Sequence, residues 1–135
     1  MLFRSLPREI DVVLRGARDL SDDWKRVVAV FQPNRYNRMN TMSPAYRDAF
    51  VRADLVVVTE IYASGTTPIP GVTGKLVVDA IRAAHPTTKV EWIADRGDLV
   101  TYLAGELRDG DLCISMGCGD IESLPDEVIA ARERR

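Results

Sequence analysis

Apolar residues along this chain follow two rhythms, and the rhythms alternate. Val27 to Phe31 and Leu55 to Thr59 are nearly unbroken apolar runs rich in valine. Such runs suit strands covered on both faces, as a parallel sheet requires. Val90 to Ile93 and Leu112 to Met116 read as two further strands. Between them the apolar positions recur three and four apart: Ile10, Val13, Leu14, Ala17 and Leu20, then Tyr46, Ala49, Phe50 and Ala53, then Leu76, Val77, Ala80, Ile81 and Ala84, then Leu99, Val100, Leu103 and Leu107. That spacing places one face of a helix against a core. A last helix is expected over Pro125 to Arg132. Helix and strand alternating throughout predict an α/β fold, a single three-layer Rossmann-like domain over residues 1–135 with a mostly parallel sheet and helices on both faces.

The punctuation agrees with this division. Pro7 suits the first turn of a helix, and Ser43-Pro44 reads as an N-cap followed by proline at the first helical position, so the second helix is expected from there to about Ala53. Thr73 is expected to cap the third helix, Asp95 or Arg96 to begin the fourth, and Asp109-Gly110 to turn the chain into the fourth strand. Tyr62 to Val72 holds two prolines and two glycines and can only be a shaped loop. It exceeds the two to six residues usual for such connections, which marks it as a functional loop or a mobile one.

Open parallel sheets bind ligands just beyond the carboxyl ends of their strands. After Phe31, the segment Gln32-Pro33-Asn34-Arg35-Tyr36-Asn37-Arg38 sets two arginines at such an end, with Pro33 stopping the strand. Arginine's planar fork holds phosphate or carboxylate in pairs of hydrogen bonds and stays charged. The same pattern also describes a solvated loop whose arginines pair with surface acids. Gly117-Cys118-Gly119-Asp120 follows the fourth strand, where glycines let backbone approach a ligand and Asp120 stands at the mouth of the sheet; a tight turn has the same signature.

Charge and composition narrow the partners. The 135 residues carry 18 basic and 20 acidic side chains, a net charge of -2, so nothing pulls the whole molecule toward nucleic acid or an anionic membrane. Anion binding has to be local. Met1 to Arg8 is too short an apolar run for a signal peptide, and no stretch approaches the ~18 apolar residues of a membrane span. With one histidine and cysteines only at 113 and 118, neither a metal site nor a catalytic residue emerges, and a reduced cytoplasmic chain is expected. Cys113 reads as core, and Cys118 has no visible base. His85 is expected to interact with the carboxyl end of its helix, and Asp95 and Asp98 read as a cap and a first-turn charge. Gly71-Val72-Thr73-Gly74-Lys75 suggests a phosphate loop, but Ile69 stands at the first glycine position and Leu76 where a hydroxyl must hold magnesium.

Four blocks in order resemble the C-terminal domain of the Mur ligases, most closely in their alanine-adding branch. Phe31-Gln32-Pro33-Asn34-Arg35-Tyr36-Asn37-Arg38 is similar to the family's Phe-Gln-Pro-His-Arg-Tyr-Ser-Arg. Val58-Thr59-Glu60-Ile61-Tyr62-Ala63 and Pro68-Ile69-Pro70-Gly71-Val72-Thr73-Gly74 are similar to Thr-Asp-Ile-Tyr-Pro-Ala and Pro-Ile-Pro-Gly-Val-Ser-Gly. Gly110-Asp111, Met116-Gly117-Cys118-Gly119-Asp120 and Pro7-Arg8-Glu9-Ile10 complete the likeness.

The resemblance implies a three-domain ligase that uses ATP and magnesium to join UDP-N-acetylmuramate to L-alanine. This chain would supply the domain that closes over substrates held by the central ATPase domain and the N-terminal UDP-sugar domain. The substrate- or phosphate-binding candidates are then Asn34, Arg35, Arg38, Tyr62, Gly117, Gly119 and Asp120, toward an amino-acid or nucleotide ligand, with no cofactor held by this chain alone. Two departures from the pattern face the site. Met1 to Leu6 replaces an acidic-acidic-Tyr-x-His-His run, removing both histidines at Ser5 and Leu6, and Asn34 replaces a histidine and cannot carry a proton near neutral pH. The alternative is a stand-alone degenerate module that binds a nucleotide, a UDP-sugar or a ligase partner.

Overall fold

Side chains that are apolar on both faces of a strand must be covered twice, and the chain meets that demand with two helical layers. The computed structural model describes residues 6–19 and 23–135. Four strands, β1 (Arg26–Phe31), β2 (Leu55–Val58), β3 (Val90–Trp92) and β4 (Asp111–Met116), form one parallel sheet in the order β3-β2-β1-β4. Val27 to Phe31 and Leu55 to Val58 are fully buried. Val27, Ala29, Phe31, Val56 and Val58 join the core on one face with α1 (Pro7–Asp19), α2 (Tyr36–Met42) and α3 (Lys75–Ala84). Val28, Val30, Leu55 and Val57 join the core on the other with α4 (Arg96–Glu106) and α5 (Leu124–Glu133).

The expected parallel sheet, the helices on both faces and the order of elements are all present. Asp95 is the N-cap of α4, its side chain accepting from the backbone N–H of Asp98. The Thr73 hydroxyl accepts from the Lys75 N–H at 3.2 Å, while Gly74 is the cap residue of α3. Leu20, expected on the first helix, lies outside the described residues, as does Ser5.

Three expectations are corrected. The second helix does not run from Ser43 to Ala53: α2 starts earlier, at Tyr36, and is followed by a 3₁₀ turn, Ser43–Tyr46, and a series of turns. Ser43 is buried and lies inside the 3₁₀ turn, whose N-cap is Met42, and Tyr46, Ala49 and Phe50 reach the core from turns rather than from one helical stripe. Phe31 collects two of them, with ring centroids 5.1 Å from Tyr46 and 5.5 Å from Phe50. Cys113 is not core but exposed, because β4 is an edge strand whose far side no element covers among the described residues. The His85 ring, finally, pairs with Asp48 at 2.7 Å rather than with its own helix end, holding that aspartate's pKa below its usual value.

Candidate functional site

Chain direction changes between β1 and β4. From β1 the chain steps outward to β2 and β3, then crosses back past both to place β4 on the other side of β1. The segment leaving β1 enters α2 on one face of the sheet, and the segment leaving β4 enters α5 on the other. Diverging connections of this kind open a crevice at the carboxyl edge, the usual ligand position in such sheets. Here it is a cleft of about 400 Å³ lined by Leu6, Glu9, Asn34, Arg35, Arg38, Ser64 and Cys118.

Backbone pairing beyond the strand ends shapes this cleft. Asn34 and Tyr62 form an isolated parallel bridge, with Tyr62 N–H donating to Pro33 C=O and Arg35 N–H to Tyr62 C=O, each at 2.9 Å. The chain must then turn at once into α2, and Arg35 takes the strain with φ 69°. A non-glycine residue there costs about 1–3 kcal/mol and persists where surrounding contacts impose it. Thr66 helps impose it, since its hydroxyl accepts from Tyr36 N–H at 3.0 Å while donating to Ala63 C=O. The long loop expected over Tyr62 to Val72 is therefore tied to the arginine segment.

Arg38 projects from the first turn of α2 beside Arg35. Neither guanidinium makes a salt bridge or side-chain hydrogen bond to another described residue. That distinguishes them from Arg18, Arg26 and Arg96, which are all paired within the fold. Asn34, which also lines the cleft, is 4% exposed, and its buried Oδ1 has no hydrogen-bond partner among the described residues. Behind them lies the fully buried Tyr46; burial, partly offset by the charge of Arg38, pushes its phenol up to about 12.

The remaining candidates sit across the crevice. Gly119 presses its backbone onto the Tyr62 ring so closely that a Cβ there would overlap Cγ, Cδ1 and Cδ2. Gly117, at φ 151°, passes Gln32 and Ile121 with no room to spare. The Asp120 carboxylate is already engaged, accepting from Gln32 Nε2 at 2.6 Å and from Arg96 at 2.9 Å. Tyr62 and Asp120 line a smaller polar cleft of about 220 Å³ with Glu60 and Arg96. So Asn34, Arg35 and Arg38 converge with Cys118, while Tyr62, Gly119 and Asp120 build the adjoining wall.

The sequence reading missed Gln32, Glu9 and Arg96. Arg96 could have been found, since it too follows a strand. Its partners Asp120 and Glu127 lie 24 and 31 residues away and carry no local signal.

Residues 6–119 match the model of the Mur ligase glutamate ligase domain. The chain belongs to this Mur ligase family. It is 39% identical over 128 residues to a UDP-N-acetylmuramate--L-alanine ligase of Desulfosudis oleivorans and 41% identical over 124 residues to that of Rubrobacter xylanophilus. The alignments cover 95% and 92% of this chain and 28% of each relative. This Mur ligase domain thus spans little more than a quarter of the curated relatives it matches, and it corresponds to their C-terminal domain. Its fold matches a murein peptide ligase of Psychrobacter arcticus with a TM-score of 0.76 at 19% identity, over 98% of this chain and 27% of that one. A domain of a putative UDP-N-acetylmuramate:L-alanyl-γ-D-glutamyl-diaminopimelate ligase from Haemophilus ducreyi matches at TM-score 0.68 over 97% of this chain and 87% of that one, at 16% identity. No helix among the described residues is long and apolar enough to cross a membrane.

Proposed function

We propose that this domain closes over the substrates of a cytoplasmic, ATP-dependent amide ligase of the UDP-N-acetylmuramate:L-alanine type, and that it does not catalyse alone. The observation that carries the reading is the cleft at the strand crossover, where Arg35 and Arg38 make no salt bridge with another described residue. Two permanent cations against the single carboxylate of Glu9 leave the cleft cationic and favour an anionic ligand, the carboxylate of the amino acid or a phosphoryl oxygen. Closing such a pair over the reacting centre places positive charge where negative charge develops during acyl transfer. ATP and magnesium belong to the other domains in this reading. Among the described residues no three His, Cys, Asp or Glu side chains converge to hold a metal, and no step is assigned to one here.

The test is calorimetric titration of the purified domain with inorganic phosphate, ATP and L-alanine, with phosphate release followed in parallel. Weak anion binding is expected, with a Kd of about 0.1 to 1 mM, equivalent to about −5.5 to −4 kcal/mol. Arg35→Ala and Arg38→Ala should each weaken it severalfold, and no turnover should accompany it. Magnesium-dependent ATP hydrolysis by the isolated domain, or an affinity unchanged in both variants, contradicts the proposal.

A further inference from the structure

Arg35 is gripped from outside its own segment. Its N–H donates to Tyr62 C=O at 2.9 Å, and the next N–H, that of Tyr36, donates to the Thr66 hydroxyl at 3.0 Å. These bonds hold the peptide groups before and after the Arg35 Cα, so together they set its φ and ψ and the direction in which its side chain leaves the backbone. Both acceptors belong to one short stretch of the long loop.

The Thr66 hydroxyl is itself oriented. Ala63 to Thr66 is a tight turn, closed by the Thr66 N–H donating to Ala63 C=O at 3.0 Å, with φ 51° at Ser64 and 84° at Gly65. The hydroxyl proton goes to the same carbonyl at 2.6 Å, which leaves a lone pair for Tyr36 N–H. Tyr36 opens α2, where the first amides have no partner within the helix, and its N-cap Arg35 supplies no side-chain bond to them. Thr66 meets that need from another segment.

Among the described residues, the non-glycine positions with positive φ are Arg35 and Ser64, and both line the arginine cleft. Thr66 joins the two without being part of the lining. We propose that Thr66 is a positioning residue for Arg35, its hydroxyl fixing the backbone that aims the guanidinium along the cleft. Without that bond the strained φ loses one of its constraints, and a small backbone shift is amplified at the end of a long side chain. The consequence for anion affinity rests on the reading of the cleft given above; the hold on the Arg35 backbone does not.

The experiment titrates inorganic phosphate, followed by NMR, into the 135-residue chain as wild type, Thr66→Val and Thr66→Ser, and into Arg35→Ala and Arg38→Ala with and without Thr66→Val. Amide hydrogen exchange is measured on each without phosphate. Thr66→Val, which keeps the shape and removes the hydroxyl, should weaken binding about fivefold, the worth of one hydrogen bond, and Thr66→Ser should restore it. The fivefold loss should recur in Arg38→Ala and vanish in Arg35→Ala, because the threonine acts through Arg35. The Arg35 amide, whose own acceptor is untouched, should exchange faster in Thr66→Val and not in Thr66→Ser, while the Val56 amide, bonded to Lys89 C=O within the sheet, keeps its rate. An equal loss in Arg35→Ala, no rescue by serine, or faster exchange shared by Val56 overturns the inference, the last because it marks general loosening. Should the wild type bind no phosphate, the ligase reading of the cleft fails and the Arg35 amide alone decides the positioning: an unchanged rate in Thr66→Val overturns it.

Discussion

Arg35 is the residue at which local conformation and proposed function oppose each other. Its φ of 69° is natural to glycine and strained for any side chain, yet the position carries a guanidinium. Arg35→Gly and Arg35→Ala both delete the charge, and only the glycine relieves the backbone. Arg35→Gly is therefore expected to be more stable than Arg35→Ala by about 1–2 kcal/mol in urea unfolding, while both lose anion affinity equally. Equal stability would show that the strain is not there. Gly119 poses the opposite test, since its hydrogen is all that fits beneath the Tyr62 ring. Gly119→Ala should cost about 1–3 kcal/mol, as overpacking does, and Tyr62→Ala should recover part of that loss in a double-mutant cycle.

Among the elements, the edge strand β4 is fastened at its start by a polar cluster. Arg26 on β1 holds Asp111 at the start of β4 through two bonds, Nε to Oδ1 at 3.0 Å and Nη2 to Oδ2 at 2.7 Å, and reaches Glu106 at the end of α4 at 3.1 Å. The Arg108 N–H adds a third bond to Asp111 at 2.9 Å. The hydrogen bonds from Arg26, the larger cause, hold the Asp111 pKa below the ordinary carboxylate range, and the Arg26 pKa is raised in turn. For a carboxyl with a depressed folded pKa, the stabilisation is complete above its unfolded pKa of about 4 and is lost as pH falls through the folded value. Acid titration of stability should therefore show a loss below about pH 4 that Asp111→Asn removes, along with about 2 kcal/mol at pH 7. An acid limb identical in the variant would assign that loss to other carboxylates.

For the whole molecule, a net charge of -2 means that attraction of an anion comes from the cleft and not from the overall field. Phosphate affinity should fall severalfold between about 0.1 and 1 M salt, as the screening length shrinks from about 10 to about 3 Å. An affinity insensitive to salt would mean that the arginines are not the binding groups. What the sequence determined by itself is the frame. Strand and helix are written in local periodicity, and a run such as Val27 to Phe31 can satisfy its side chains only between two layers, so a parallel α/β sheet and an arginine pair at a strand end follow from adjacent residues. Start positions were less secure: Ser43-Pro44 carries the chemistry of a helix start, yet the bridge from Asn34 to Tyr62 forces α2 to begin at Tyr36. Only the tertiary structure decided which arginines remain unpaired, that Asp120 is consumed by Gln32 and Arg96, and that Cys113 lies on an edge while Cys118 lines the cleft. Those outcomes depend on strand order and on contacts between residues far apart in the chain, which local periodicity does not encode.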